Sequence, residues 1–189
     1  MPHVTARQAP FSPLNLETRS IGMKTAAVVA GTAFLALSSH IAVPMVPVPV
    51  TMQTFAVTLI GALYGWRLGA LTVVLWLMQG AMGLPVLAPG AAGLAKFVGP
   101  TAGYLYAFPL AAALTGALAE RGWNGQRVAL AFASMLMGNV LCLVVGAAWL
   151  STLVGVEKAI VAGVAPFVVG AALKAALGAA VLRAMPARG

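Results

Sequence analysis

The sequence predicts an all-α integral membrane protein, a compact bundle of six transmembrane helices with both termini in the cytoplasm. Three observations carry that prediction. Of 189 residues, 61% are hydrophobic and only 7% are charged, against roughly a quarter charged in a soluble domain. The apolar residues fall into long runs separated by Gly, Pro and charge. The cations gather at alternate breaks: Arg7, Arg19, Lys24, Arg67, Arg121, Arg127, Arg183 and Arg188 on one face, and Lys96 and Lys158 on the other. By the positive-inside rule the first face is cytoplasmic, and six crossings return both termini to it.

Residues 1–22, with Pro2, Pro10 and Pro13, read as a mobile cytoplasmic tail, and 23–189 as the membrane bundle. The first span is expected at about 25–43, directly after Lys24. A signal peptide is a weaker reading of it, because the chain continues as further spans instead of a secreted domain. The second and third spans, about 52–65 and 68–82, meet at Trp66-Arg67. Both fall short of the ~20 residues that cross a bilayer core, a feature of transporters whose backbone opens around a substrate. The remaining spans are expected at about 101–118, 128–153 and 166–182, the last opening on Pro166, a residue suited to a first helical turn.

Two punctuated segments share the outer face. The stretch from Gly83 to Pro109 is rich in Gly and Pro and carries Lys96, Thr101 and Tyr104. The stretch from Pro44 to Thr54 contains Pro44, Pro47 and Pro49, which favour stiff extended chain. Irregular backbone at membrane depth must be buried in protein or line a cavity. The two segments are therefore expected to close over one binding pocket.

Lys174 is the sharpest single feature, lying near the middle of the sixth apolar run. An intramembrane lysine is costly and points to function. The chain has no Asp, and Glu17, Glu120 and Glu157 all lie outside the apolar runs, so an anionic ligand or main-chain carbonyls are its expected partners. Asn139 offers a donor and an acceptor to an amide-like group, with interhelical hydrogen bonding as the equal competitor. Gln53, Thr54, Thr101 and Tyr104 could line the same outer pocket, although Tyr104 would serve equally as an interfacial anchor. Trp76 reads as packing more than ligand stacking. On the first span, Ala26 with Ala30 and Ala27 with Gly31 form small-residue pairs that suit either internal packing or a docking subunit.

Absences narrow the function. The basic residues form no stripe, which argues against nucleic acid. The two histidines and one cysteine have no partners at metal-ligand spacing. No lysine follows a glycine, so the chain lacks a phosphate-binding loop and cannot hydrolyse ATP by that route. No nucleophile and base pair is visible, so an enzyme is not expected. Uphill transport would need a partner to supply energy.

Over about 24–182 the chain resembles the substrate-binding S components of energy-coupling-factor vitamin transporters, specifically the BioY biotin-transport type. The resemblance rests on Val46-Pro47-Val48-Pro49-Val50-Thr51-Met52-Gln53-Thr54-Phe55-Ala56-Val57, on Gly83-Leu84-Pro85-Val86, and on Gly99-Pro100-Thr101-Ala102-Gly103-Tyr104. Pro166-Phe167 and Gly170-Ala171-Ala172-Leu173-Lys174-Ala175 complete it. It implies a six-helix plasma-membrane subunit that captures biotin from outside, needs no cofactor, and is driven by a transmembrane coupling subunit and ABC-type ATPases. It adds Gly99, Gly103 and Ala171 to the expected ligand-binding residues Lys174, Asn139, Gln53, Thr101 and Tyr104. It makes Ala26 and Ala30 the docking face for the coupling subunit. Self-association is left open; capture of a different small vitamin or anion is the alternative function, and a small intramembrane enzyme a remoter one. Two departures stand out: the family pattern has Gly-Asp-x-x-Lys where this chain has Ala171, and Gly where it has Ala102. The missing carboxylate would lie one turn from Lys174, which puts the strength of binding in question.

Overall fold

The computed structural model of the chain describes residues 14, 16 and 19–185. Most of the tail expected over 1–22 lies outside these described residues. The order of elements is α1 (Ile21–His40), a two-stranded hairpin of β1 (Ala42–Val43) and β2 (Val50–Thr51), and α2 (Gln53–Ala81). They are followed by α3 (Ala102–Glu120), α4 (Val128–Val154), α5 (Val156–Gly163) and α6 (Phe167–Ala184). Five of the helices are long and apolar enough to cross a membrane. The protein is a multi-pass membrane protein.

Helix α1 begins at Ile21, earlier than the expected Thr25, because the Ser20 side chain accepts from the Met23 N–H at 3.4 Å and caps it. It stops at His40 instead of Val43 because Ile41 turns extended and the next two residues join the hairpin, pairing Ala42 with Thr51 and Val43 with Val50. Only one side of α1 is covered. Gly31 and Leu35 are buried, whereas Ala26, Val29 and Ala30 are exposed, as suits a helix at the edge of a bundle in lipid.

The runs expected at 52–65 and 68–82 both lie within α2, which breaks at Gly65 (φ 80°, ψ 171°), backbone open only to glycine. The chain reverses there. A methyl group added at Gly69 would lie 2.9 Å from the Cα of Gly61, whereas residues eight apart on a straight helix stand about 12 Å apart. The arms 53–64 and 66–81 therefore run antiparallel, and the bundle contains six apolar rods. The break frees the Trp66 N–H, which donates to Oε1 of Glu120 at 3.0 Å. A carboxylate at a helix N-terminus also meets the positive end of the helix dipole. Gly116 on α3 lets the reversal pack close, since a Cβ there would lie 2.6 Å from the Gly65 carbonyl carbon.

Helix α3 is the central rod. Its Ala107, Ala111, Ala112 and Ala119 are fully buried, and small side chains let helices approach where lipid gives no hydrophobic drive between them. Gly155 (φ 86°) ends α4 and turns the chain into α5, a short helix within the connection expected between 153 and 166. Its Ala159 and Gly163 face inward, and Val156, Ile160 and Val161 are exposed. On α6, Gly178 faces the Met135 side chain of α4 so closely that a Cβ would collide with its sulfur.

Because α2 is a hairpin, the segments 41–52 and 82–101 lie at the same end of the bundle, joined there by α5 and the start of α6. The first arm of α2 rises only about 18 Å, less than the ~30 Å of hydrocarbon. The β-hairpin fills the remaining depth, and its irregular backbone needs partners inside the protein.

Candidate functional site

Lys174 supplies one such partner. It is 9% exposed, and its Nζ donates to the main-chain carbonyl of Thr51 at 2.8 Å and to Oγ1 of Thr54 at 3.0 Å. An ammonium group has three donors, so one remains for something else. Of the partners expected for this lysine, a main-chain carbonyl is present, that of Thr51, and a side-chain hydroxyl joins it.

Thr51 is itself held by a chain of hydrogen bonds. Its Oγ1 donates to Oε1 of Gln53 at 3.0 Å and accepts from the Gln53 N–H at 3.2 Å. Gln53 Nε2 donates to Oγ of Ser39 at 3.1 Å, and that hydroxyl donates to the Leu35 carbonyl at 2.8 Å. The run from Lys174 through Thr51, Gln53 and Ser39 ties α6, the hairpin, α2 and α1 at one level. Buried polar groups satisfied in this way rigidify their surroundings.

Above Lys174 lies a narrow pocket with a cavity volume of about 50 Å³, well below the ~300–1,000 Å³ usual for small-molecule sites, so a ligand enters only where its walls part. Its walls are Val48, Pro49, Thr51 and Gln53 from the hairpin side, and Leu87, Ala88 and Lys96 from the 82–101 segment. Thr101, Tyr104, Leu105 and Phe108 of α3 and Phe167 and Lys174 of α6 complete them. Two lysines and no carboxylate line it. The Tyr104 and Phe167 rings stack at 6.2 Å and 29°, so the same pocket carries apolar aromatic surface as well as the two cations. The site can take an anion with an apolar body.

The 82–101 wall is fixed by three aromatic donors. Trp76 Nε1 donates to the Val86 carbonyl at 3.0 Å while its ring stacks on Phe108 at 6.0 Å. Tyr106 donates to the Phe97 carbonyl at 2.6 Å, and Trp149 Nε1 to the Gly99 carbonyl at 3.0 Å. Trp76 is fully buried, so it packs the protein interior instead of facing lipid.

The residues expected at the site therefore divide. Lys174, Gln53, Thr101 and Tyr104 meet in the pocket. Both ends of the Gln53 amide are engaged by Thr51 and Ser39, and the Tyr104 hydroxyl donates to the Gly163 carbonyl of α5 at 2.7 Å. These two side chains shape the pocket more than they offer it free polar groups. Asn139, Gly99, Gly103 and Ala171 are not among its walls. Asn139 is buried in α4 and bonds back to the Met135 carbonyl at 2.9 Å. Gly99 receives Trp149, and Gly103 makes room for the Trp149 side chain, which a Cβ there would strike. Ala171 is buried one turn before Lys174.

Lys96 is the wall residue that the sequence reading passed over as a ligand group. It sits on a 3-10 turn, Leu94–Phe97, and no acceptor among the described residues holds its side chain. On α1, the Ala27 carbonyl accepts from the Tyr64 hydroxyl at 2.8 Å, and Gly31 lies against Thr72, where a Cβ would approach to 2.7 Å. That pair packs internally. Ala26 and Ala30 remain on the exposed side.

A model of the BioY family matches residues 8–188. The chain is 38% identical over 157 residues to a protein of Pyrococcus horikoshii named probable biotin transporter BioY, covering 82% of this chain and 92% of that one. It is 37% identical over 178 residues to biotin transporter BioY of Rhizobium etli, covering 90% and 94%. Its fold is similar to the crystal structure at 2.1 Å of the S-component for biotin from an ECF-type ABC transporter. That match has a TM-score of 0.78 at 26% identity and covers 90% of this chain and 96% of the other.

Proposed function

The chain belongs to the BioY family, and on that premise we propose that it is the substrate-capture subunit of a biotin uptake transporter in the plasma membrane. A separate transmembrane coupling subunit and ABC-type ATPases energise it. The observation that carries the reading is the outer pocket with Lys174 and Lys96 on its walls and no carboxylate. The family is one of transporters, which sets the intramembrane-enzyme alternative aside.

Biotin presents a ureido ring, an apolar bicycle with a thioether, and a carboxylate tail. The deep cation, Lys174, already donates to two neutral oxygens and has one N–H left, which suits the ureido oxygen. The unpartnered Lys96 suits the carboxylate, since a charged partner gives roughly twice the strength of a neutral hydrogen bond. Between them Tyr104, Phe108 and Phe167 take the bicycle, and sulfur beside an aromatic ring is favourable. Gln53 and Tyr104 position the walls, and Thr101 brings a hydroxyl to the pocket lining.

Equilibrium binding of radiolabelled biotin to the purified protein, challenged with other vitamins, tests this. Saturable binding displaced by unlabelled biotin alone is the expected result. Ala171 in place of the family's Asp favours, as a second reading, a different small anionic vitamin. Displacement by another vitamin in preference to biotin would select it.

A further inference from the structure

At the opposite end of the bundle a second groove separates α1 from the second arm of α2. Leu16, Lys24, Arg67, Leu68 and Leu71 line it around about 710 Å³ of space counted with its mouth. Lys24 lies in the first turn of α1 and Arg67 at the start of the 66–81 arm. Among the described residues no carboxylate pairs with either cation, and Glu120 is spent on the Trp66 N–H. The Arg67 guanidinium stands 5.0 Å over the Trp66 ring, itself 43% exposed, an aromatic placement typical of the membrane interface. Leu71 is 49% exposed, so the apolar floor opens sideways toward lipid. A cationic rim above an apolar floor has the polarity of one kind of molecule, a phospholipid with net negative charge.

We propose that this groove binds an anionic phospholipid, its phosphate between Lys24 and Arg67 and its acyl chains along Leu68 and Leu71. Basic pockets between membrane helices on the cytoplasmic side attract such headgroups, and the cation distribution predicts this face to be cytoplasmic. At 100° per residue, Lys24 shares the α2-facing side of α1 with Ala27, Val28 and Gly31, whereas Ala26 and Ala30 point about the opposite way. A bound lipid would brace α1 against the hairpin and leave the other side of α1 free.

Native mass spectrometry of the detergent-purified chain, titrated with phosphatidylglycerol or phosphatidylcholine of identical acyl chains, tests the proposal. Phosphatidylglycerol should bind as a single retained adduct and phosphatidylcholine much more weakly. Each cation near an anionic surface is worth about fivefold in affinity. Combining Lys24→Gln with Arg67→Gln should therefore weaken phosphatidylglycerol about thirtyfold, and Lys24→Arg should leave it unchanged. Biotin binding serves as the folding control, and each single substitution provides a milder step should the double variant fail to fold. Equal retention of the two lipids, or a double variant that keeps its adduct, overturns the proposal. Displacement of the adduct by tail-free glycerol phosphate at matching concentration overturns the lipid assignment in favour of a simple phosphate site.

Discussion

The Nζ of Lys174 on α6 and the main-chain carbonyl of Thr51 at the end of the β-hairpin lie 2.8 Å apart, across 123 residues of sequence. The bond joins the deepest cation of the pocket to the segment that forms its wall. Removing the lysine strips a donor from a half-buried carbonyl, which costs about 1 kcal/mol, and removes the donor proposed for the ureido oxygen. Lys174→Ala is expected to lower biotin affinity at least tenfold and to lower the thermal stability of the unliganded protein. Lys174→Met, which keeps the stem, should lose the same affinity. Unchanged affinity in both variants would remove Lys174 from the binding site.

The proposed pose gives Lys96 and Lys174 different ends of the ligand. Lys96→Ala should weaken biotin by about tenfold, as a charge-assisted bond is worth about 1.5–3 kcal/mol, yet change the binding of uncharged biotinamide less than twofold. The Lys174→Ala variant should weaken both ligands alike. Competition binding with the two compounds separates these patterns, and loss of biotinamide binding in Lys96→Ala would reverse the pose.

Much of this site could be read from sequence, and the unreadable parts have physical reasons. Lys174 stands out because a cation in an apolar run is rare. Its partner does not, because a main-chain carbonyl is present at every residue and only the fold chooses Thr51. Lys96 carries the same letter as any topology-setting lysine, and its place on the pocket wall depends on how the 82–101 segment is pinned by Trp76, Tyr106 and Trp149. Asn139 stands out as an amide in mid-span and Gly103 through the family resemblance; in the fold the Asn139 Nδ2 donates to the Met135 carbonyl within α4, and Gly103 lies against Trp149 of α4, contacts that no sequence pattern announces. The hairpin within α2 was foreshadowed by two short runs meeting at Gly65-Trp66-Arg67, whereas the eight residues of α5 were too few to show a period.

Ala171 lies one turn before Lys174 and is 4% exposed. An Asp there would stand at i, i+3 from the lysine, within pairing reach on one helix face. Ala171→Asp is expected to tighten biotin by about tenfold, the worth of one added bond between a ureido N–H and a charged acceptor. A buried ion pair can also cost more than it returns, so thermal stability without ligand should be measured beside affinity. Weaker binding in a folded Ala171→Asp variant would show that the new carboxylate occupies Lys174 at the expense of the ligand.

The reversal inside α2 decides whether the pocket has a wall, because only the short first arm leaves depth for the hairpin. Gly65 (φ 80°, ψ 171°) adopts backbone that costs other residues about 1–3 kcal/mol, and Glu120 caps the arm that follows. Gly65→Ala should lower thermal stability in detergent by that amount and weaken biotin with it. Glu120→Ala should cost about 1 kcal/mol as a lost cap, and Glu120→Gln, which keeps an acceptor oxygen, about half as much. Wild-type stability in Gly65→Ala would mean that the two arms do not reverse at this residue.

Docking and capture should be separable on α1. Ala27 and Gly31 are spent on Tyr64 and Thr72 inside the bundle, so only the exposed Ala26 and Ala30 side is free to receive a coupling subunit. Leucine at both positions would add bulk where close helix approach needs small residues. The Ala26→Leu, Ala30→Leu double variant is expected to bind biotin as the parent does, since neither residue lines the pocket, while losing biotin uptake and co-purification with the coupling subunit in cells. The converse control is Gly31→Leu, which should damage the fold and therefore both activities, because a Cβ alone already approaches Thr72 to 2.7 Å. Full uptake by the double leucine variant would move the docking face elsewhere on the bundle.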